Sequence, residues 1–254
     1  MYDVIVVGSG IAGMTAAIYA QRGGLSVLVL EAYMIGGQIV DSLSVRNYPG
    51  FREVTGVELT SEISCQMSKL GVELKYELVM SVKELGKGGF EVETDEAKYK
   101  CRAIIIATGT EPRRLSAEQE KDVGERPISY CAACDGALYA DRPVVVVGSG
   151  NTAKHEIKYL EGIASEVYHI HHDEPIPEEA EVVFVAIGRV PVTEAFEGLV
   201  DLDDEGYVIA GEDCKTSRAG VFVAGDCRTK EVRQLVTAAG DGAVAATGAL
   251  RYLG

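Results

Sequence analysis

The chain has 254 residues, enough for one large domain or two smaller ones, and 47% of them are hydrophobic. Its formal charge of −15 argues against nucleic-acid binding, because phosphates need clustered Lys and Arg. The sequence has no apolar run of membrane-spanning length and no secretory leader, so we expect a soluble cytoplasmic protein without a membrane partner. Six cysteines are too few for a disulfide scaffold.

The N-terminal region predicts a dinucleotide-binding unit. Residues 2–7 are a β-branched apolar run typical of parallel sheets, and the helix that follows ends at Gly23-Gly24. Between them lies the turn Gly8-Ser9-Gly10-Ile11-Ala12-Gly13. A second strand over residues 25–30 is closed by Glu31. In this context the glycines admit a pyrophosphate at the helix N-terminus, and Glu31 would accept ribose hydroxyls. A purely structural glycine turn is the alternative.

The next region predicts a helix followed by strands. Residues 55–70 have the pattern of an amphipathic helix, on which Cys65 is expected to pack as a small hydrophobe. Residues 72–100 predict strands with a glycine hairpin, and residues 104–109 predict a buried strand. The charged segment 111–127 contains two prolines and predicts a linker.

Residues 129–136, Ser-Tyr-Cys-Ala-Ala-Cys-Asp-Gly, have the composition of a thiol–disulfide exchange site. Cys131 and Cys134 can form one disulfide or one dithiol, in which one thiolate attacks and the other sulfur resolves, while Asp135 can move the proton. Half of a zinc site has the same spacing, but zinc would need a second ligand pair, which the remaining cysteines do not form. Inert core thiols are the other alternative.

A second strand–turn–helix–strand unit follows, and the segment that leads to its third strand is too short for a complete unit. Its strand over residues 143–147 leads into Gly148-Ser149-Gly150, a helix and a strand over 166–171. A complete unit would reach its third strand through a helical crossover of a dozen or more residues. Only residues 173–180, with two prolines, separate His172 from the next strand, so no crossover helix fits there. The C-terminal region predicts a strand over 220–226 and a helix over 238–250.

With these motifs placed, the sequence resembles the low-molecular-weight thioredoxin reductases, which are FAD-containing homodimers with two dinucleotide-binding domains. The resemblance rests on the two glycine turns, Gly36-Gly37-Gln38, Asn47-Tyr48-Pro49-Gly50, Ala107-Thr108-Gly109, Cys131-Ala132-Ala133-Cys134-Asp135-Gly136, Ala186-Ile187-Gly188-Arg189, Ala224-Gly225-Asp226 and Arg233-Gln234. It implies an α/β fold with two Rossmann-like dinucleotide-binding-type domains, the second inserted in the first and truncated. The expected boundaries are 1–113 and 192–254 for the FAD domain and 114–191 for the truncated domain.

The resemblance also implies a set of site residues. Glu31 would lie at the adenosine ribose, Gln38 and Asn47 near the flavin, and Asp226, Arg233 and Gln234 on the ribityl and isoalloxazine side. Cys134 would face the flavin, Cys131 would attack the disulfide of a thioredoxin-like partner, and Asp135 would handle the proton. The full set of expected FAD-binding residues is Gly8, Gly10, Ile11, Ala12, Gly13, Glu31, Gly36, Gly37, Gln38, Asn47, Thr108, Gly109, Gly225, Asp226, Arg233 and Gln234. For Asp226, a helix N-cap is the alternative.

The second unit departs from the family pattern where NADPH would bind. Family members that use NADPH carry a His-Arg-Arg-x-x-x-Arg run, but this chain has His171, His172 and Asp173, and no arginine before Arg189. A carboxylate repels a 2′-phosphate, which argues against NADPH binding. Lys154 and Lys158 stand where relatives have apolar residues; they form either a solvated face or a docking patch for an acidic electron donor.

Three hypotheses follow from this pattern. The preferred one is an FAD-dependent thioredoxin-type disulfide reductase that receives electrons from a carrier such as reduced ferredoxin. The second is an NAD(P)H-dependent reductase with a minimal nucleotide site, in which Asp173 would favour NADH. The third is a non-catalytic flavin-binding redox sensor.

Overall fold

The computed structural model describes the whole chain except Leu43, Lys87, His172 and Asp173; for Ala117, Glu118, Ala133 and Cys134 it describes the backbone alone. The chain forms two compact units. The first unit consists of Met1–Val40, Ser44–Thr110 and Pro191–Gly254, and the second is Glu111–Val190 with a short stretch after Val40. The second unit is therefore inserted between two segments of the first.

The strands and helices are as follows. The strands are β1 (Tyr2–Val7), β2 (Val27–Glu31), β3 (Glu73–Tyr76), β4 (Val79–Leu85), β5 (Gly89–Thr94), β6 (Lys98–Ile106), β7 (Thr110–Pro112), β8 (Ile128–Ser129), β9 (Pro143–Val147), β10 (Glu166–Ile170), β11 (Val182–Val185), β12 (Arg189–Pro191) and β13 (Val221–Val223). The α-helices are α1 (Ile11–Arg22), α2 (Gly56–Lys69), α3 (Ala117–Val123), α4 (Ala132–Asp135), α5 (Asn151–Leu160) and α6 (Leu235–Leu253).

The first unit is built on a sheet with the strand order β3-β2-β1-β6-β5-β4, in which β13 lies beside the end of β6. Strands β1, β2, β3, β6 and β13 pair in parallel, whereas β4 and β5 are antiparallel. Val4 and Val6 face a core shared with α1, α2 and α6, while Ile5 and Val7 face the opposite core. Both faces of β1 are therefore buried, as its continuous apolar run predicts.

Helix α6 packs closely against α1 because its sequence is rich in small residues. A Cβ atom at Gly242 would lie 2.2 Å from the Ala12 carbonyl oxygen, so only glycine permits this approach. The helix begins at Leu235 and ends at Leu253, three residues longer at each end than the predicted segment. Among the described residues, no helix combines the length and apolar character needed to cross a bilayer.

The second unit contains a parallel sheet with the strand order β10-β9-β11-β8. The connection from β10 to β11 passes β9 and contains no helix among its described residues. This confirms the prediction that the crossover helix is missing. Together with the first sheet, it confirms the predicted fold class, in which the second Rossmann-like unit is inserted and truncated.

Three local predictions were wrong. The expected linker over 111–127 contains α3, whose first turn is fixed by a capping box between Ser116 and Gln119. The strand predicted over 104–109 ends at Ile106, and its first three residues form the end of β6, which begins at Lys98. Cys65 is exposed, because it lies about 200° around α2 from the inward-facing Ile63.

Candidate functional site

The glycine turn of the first unit is shaped by backbone contacts that exclude larger residues. Gly8 has a φ of +99°, and a Cβ atom there would lie 2.4 Å from the Ala107 carbonyl oxygen. A Cβ atom at Gly13 would lie 1.9 Å from the Gly8 carbonyl oxygen. Gly10 precedes α1, and no described side chain caps this helix. The N–H groups of its first turn are therefore directed at the space beside Gly10, where an anion can be bound.

Glu31 closes β2 beside this turn and is 8% exposed. Its Oε2 accepts hydrogen bonds from the backbone N–H and the hydroxyl of Ser9, both at 2.7 Å. Its Oε1 accepts a third from the Tyr33 N–H at 3.0 Å. A carboxylate has about four acceptor positions, so Glu31 is held in place and can still accept a ribose hydroxyl.

A second group of predicted residues lies together around Thr110. The Gln38 side chain donates from Nε2 to the Thr110 carbonyl oxygen at 2.7 Å and to its hydroxyl at 3.1 Å. A Cβ atom at Gly109, which has a φ of +69°, would lie 3.7 Å from the same Nε2. Thr108 donates its hydroxyl to the Val192 carbonyl oxygen at 2.6 Å. Gly36 and Gly37, which precede Gln38 in the chain, have φ values of +100° and +56°.

A third group joins the loop containing Asn47 to the start of α6. Asn47 Nδ2 donates to Gln234 Oε1 at 3.0 Å. The Arg233 guanidinium lies 4.3 Å from the centre of the Tyr207 ring, and its Nε donates to the Asp226 carbonyl oxygen at 3.4 Å. The structure thus brings Asn47, Asp226, Arg233 and Gln234, all expected on the flavin side, together in the first unit.

A buried ion cluster behind Gly225 was missed by sequence reasoning. Arg228, only 1% exposed, donates to both carboxylate oxygens of Asp241 at 2.9 and 2.8 Å. Lys230 and the Gly225 N–H donate to the same carboxylate at 2.8 and 3.0 Å. Burial alone would raise the pKa of Asp241, but these hydrogen bonds outweigh it and lower the pKa. The available signal was one acidic residue inside a helix otherwise rich in alanine and glycine.

In the second unit, the segment Ser129–Asp135, here called the redox turn, is held by one serine. The Cys131 N–H donates to Ser129 Oγ at 3.1 Å, and that hydroxyl donates to Asp135 Oδ2 at 2.7 Å. The Asp135 N–H donates back to the Cys131 carbonyl oxygen at 3.1 Å. Ser129 therefore fixes both the cysteine backbone and the predicted proton carrier, a role that we did not predict.

The cysteines fall into two chemical classes. Cys131 is disulfide-bonded, whereas Cys65, Cys101, Cys214 and Cys227 are free. The side chain of Cys134 lies outside the described part of the chain, so its pairing with Cys131 stays a prediction. Burial raises the pKa of the Cys101 and Cys214 thiols to about 12, which makes them poor nucleophiles at neutral pH.

The second glycine turn keeps the shape of the first. Gly148 has a φ of +145°, and a Cβ atom there would lie 2.2 Å from the Ala186 carbonyl oxygen. Gly150 precedes α5, which no described side chain caps, and a Cβ atom on Gly150 would meet open space. His172 and Asp173, where the family's arginine run is absent, lie outside the described residues. Lys154 and Lys158 are exposed, which fits either role suggested for them.

Comparison with known proteins identifies the family. The model of the pyridine nucleotide-disulphide oxidoreductase family matches residues 2–179 and 172–242. The chain belongs to this family. It is also 36% identical to a thioredoxin reductase of Listeria monocytogenes, in an alignment that covers 100% of this chain and 94% of the relative. The 301 aligned positions exceed the 254 residues of this chain by 47, so the Listeria protein has residues inside the aligned region that have no counterpart in this chain.

Solved structures of family members give the same result. A thioredoxin reductase of Lactococcus lactis, in its FR conformation, matches with a TM-score of 0.89 and 30% identity over 100% of this chain and 99% of that one. A ferredoxin-flavin thioredoxin reductase of Clostridium acetobutylicum matches with a TM-score of 0.64 and 27% identity over 98% and 97%. The protein is thus an oxidoreductase of the low-molecular-weight thioredoxin reductase type and a flavoprotein that uses FAD.

The first unit of this family member fits FAD by its own geometry. The uncapped helix α1 suits the pyrophosphate, and the buried carboxylate of Glu31 suits the adenosine ribose. The Thr60 side chain lies against Gly36, and its buried hydroxyl has no hydrogen-bond partner among the described residues. Buried polar groups are nearly always bonded, so this hydroxyl indicates a missing partner beside the glycine loop.

Proposed function

We propose that the protein is a thioredoxin-type disulfide reductase whose electrons come from a donor other than NADPH, with reduced ferredoxin as the candidate. FAD and the Cys131–Cys134 pair would carry the electrons to a thioredoxin-like protein. One observation carries the proposal: the flavin-type glycine turn is intact and Ser129 links Cys131 to Asp135, while the described residues between β10 and β11 contain no crossover helix of a nucleotide-binding fold.

Two features support a donor other than NADPH. The β10–β11 connection is too short for the elements that complete a nucleotide cleft, and its sequence places Asp173 where a phosphate-binding arginine is needed. The name of the structure from Clostridium acetobutylicum shows that ferredoxin-linked thioredoxin reductases of related fold exist. The exposed Lys154 and Lys158 would suit an acidic carrier on a protein whose net charge is −15.

Bound FAD would supply a carrier that accepts electrons from the donor and returns two of them to a disulfide. The residues of the first unit would bind and orient it. The N–H groups at the start of α1 would bind the pyrophosphate, and Glu31 would accept the ribose hydroxyls. Gln38, Asn47, Asp226, Arg233 and Gln234 would orient the ring and its ribityl chain.

The redox turn would carry out thiol–disulfide exchange with the partner. The Cys131 thiolate would attack one sulfur of the partner disulfide, form a mixed disulfide and release the partner's other thiolate. The Cys134 thiolate would then attack Cys131, release the second partner thiolate and restore the disulfide. Asp135 would transfer protons to and from these sulfurs, and the Ser129 hydroxyl would keep its carboxylate in position.

A second candidate function is reduction by NADH. The observation that favours it is the second glycine turn, because Gly148 and Gly150 keep a nucleotide-compatible backbone.

We further propose that the protein is a cytoplasmic homodimer, for which sedimentation should give twice the 27.1 kDa chain mass.

The disulfide step can be tested without a physiological donor. The flavin of the holoenzyme is photoreduced anaerobically, oxidised thioredoxin is added, and the flavin absorbance and thioredoxin thiols are recorded. We expect the wild type to reduce thioredoxin and Cys131→Ser and Cys134→Ser to fall to background. Cys65→Ser, which removes an exposed free cysteine, should behave as the wild type. Thioredoxin reduction by Cys134→Ser at the wild-type rate would contradict the proposed route.

A further inference from the structure

Glu156 is a half-buried acidic residue next to the redox turn that the mechanism above does not use. It lies on α5, which packs against α4. The Ala132 N–H, in the peptide that follows Cys131, forms a hydrogen bond with its carboxylate. Its Oε2 is buried and has no hydrogen-bond partner among the described residues. An ionised carboxylate with an unsatisfied buried oxygen is unfavourable, and binding a proton removes this cost.

The helix that carries Glu156 packs on an apolar cluster. Ala132, Ala153, Val144 and Phe184 belong to one buried cluster beneath α5. Charged and titratable groups on the neighbouring elements are Cys134 and Asp135 on α4, Glu166, Tyr168 and His169 on β10, and Arg189 on β12, and α5 itself carries Lys154, His155, Lys158 and Tyr159. Burial raises the pKa of Glu156 to about 7, while the Ala132 N–H and Arg189 act in the opposite direction.

We propose that Glu156 is a positioning residue of the redox turn, whose carboxylate holds the Ala132 peptide and gains a proton when the Cys131 disulfide is reduced. The inference rests on the proposed redox function. Two electrons break the S–S bond and leave two sulfur anions. One proton from solvent goes to a sulfur by way of Asp135, and a second goes to Glu156. The electrons come from the enzyme's donor in turnover and from dithiothreitol in the test below.

The physical reason is repulsion between two anions. Bond lengths limit the distance from the Cys131 sulfur to a carboxylate that is bonded to the Ala132 N–H to roughly 9 Å. At an effective dielectric constant of about 20, a unit charge at this distance shifts a neighbouring ionisation by about one pKa unit. A thiolate in the redox turn therefore favours protonation of Glu156, and an ionised Glu156 opposes reduction of the disulfide.

The test compares Glu156→Gln with the wild type in anaerobic dithiothreitol redox buffers between pH 6 and pH 9. Samples are quenched in acid, denatured and labelled with a maleimide mass tag. Because four cysteines are free, oxidised chains should carry four tags and reduced chains six. Flavin absorbance reports that each variant is folded and loaded.

Glutamine keeps the acceptor for Ala132 but cannot be charged. We therefore expect equal equilibrium constants for reduction at pH 6, where wild-type Glu156 is protonated. At pH 9 the constant of Glu156→Gln should be about tenfold larger, as a shift of one pKa unit requires. Glu161→Gln, at the exposed end of α5, is the matched control and should follow the wild type at every pH.

A ratio between Glu156→Gln and the wild type that does not change with pH would overturn the inference, because a purely structural role predicts a constant ratio. Resistance of the disulfide to reduction at every pH would instead contradict the proposed function. A second measurement needs only the wild type: the reduced-minus-oxidised infrared spectrum near pH 8 should show a new carboxylic-acid carbonyl band. Its absence would contradict proton uptake by a carboxyl group.

Discussion

Asp241 anchors the backbone beside the residues expected on the flavin side of the first unit. Its carboxylate accepts hydrogen bonds from two nearly buried cations, Arg228 and Lys230, and from the backbone of Gly225. Gly225 has a φ of +85° and immediately precedes Asp226, which we expect to bind the flavin's ribityl hydroxyls. The cluster thus holds the strand end that presents Asp226.

We predict that Asp241→Asn lowers the free energy of unfolding by about 3–5 kcal/mol, because it removes the buried counter-charge of Arg228 and Lys230. Urea unfolding at a fixed FAD concentration measures this change. Glu212→Gln is the matched control, because Glu212 also contacts Arg228 at 3.4 Å but its side chain is 94% exposed. It should change stability by less than about 1 kcal/mol.

The same residue predicts a pH dependence. The pKa of Asp241 is lower in the folded than in the unfolded protein, so its carboxylate stabilises the fold above its unfolded value of about 4. This contribution is lost as pH falls through the lower folded value. The stability difference between the wild type and Asp241→Asn should therefore be constant near neutral pH and shrink below about pH 4. A difference that grows on acidification would contradict this role.

At the residue scale, the sequence predicts which side chains carry the chemistry, and their assigned roles stay predictions, whereas the environment of a side chain depends on the fold. The position of Gln38 follows directly from a motif in which Gly36 and Gly37 fix the local backbone geometry. Asp241 was missed because its partners are set by tertiary contacts, which no spacing rule reveals. Ser129 was missed although its partners, Cys131 and Asp135, lie only two and six residues further along the chain. The prediction for Cys65 failed because hydrophobic character was given more weight than its place on the helical period.

The two glycine turns provide a matched comparison at the scale of the element. Gly10 and Gly150 occupy equivalent positions before α1 and α5, and both have negative φ angles that alanine can adopt. A Cβ atom at Gly10 would come no closer than 3.9 Å to the Gly36 carbonyl oxygen, and one at Gly150 would meet nothing within 4 Å. Neither substitution should therefore disturb the fold.

We predict that Gly10→Ala weakens FAD binding by about tenfold or more, which corresponds to ~1.4 kcal/mol, because a methyl group would occupy the approach to the pyrophosphate. Gly150→Ala should leave the flavin content unchanged, and also the reduction of thioredoxin by the photoreduced flavin. Flavin fluorescence after dialysis measures the retained FAD, and thermal unfolding shows that each variant is folded. Unchanged FAD affinity in a folded Gly10→Ala variant would contradict the assignment of the first turn.

Element-level prediction succeeded where one local pattern dominates. The β-branched runs gave β1, β9 and β13, and the eight residues between His172 and Glu181 correctly excluded a crossover helix. The linker prediction over 111–127 is wrong, because the Ser116 capping box begins α3 despite the charge and the two prolines of this segment. Element-level prediction also divided β6, because the strand changes from an antiparallel partner to a parallel one along its length.

For the molecule as a whole, the insertion of one unit into the other is the feature that sequence could predict only through resemblance. No local pattern shows that residues after Pro191 return to the first sheet, where β13 pairs with β6. The truncation of the second unit can nevertheless be predicted from the length of the segment between its second and third strands, because a helical crossover between parallel strands needs a minimum number of residues. This unit carries the redox turn and a glycine turn, but its described residues do not include the crossover helix of a complete nucleotide cleft.

The most direct measurement is an anaerobic comparison of electron donors, read from the flavin absorbance band of the holoenzyme in the presence of oxidised thioredoxin. We predict that reduced ferredoxin bleaches the band and drives thioredoxin reduction, while NADPH in large excess leaves the band unchanged. Bleaching by NADH alone would favour the minimal nucleotide site. Rapid NADPH consumption coupled to thioredoxin reduction would contradict the account.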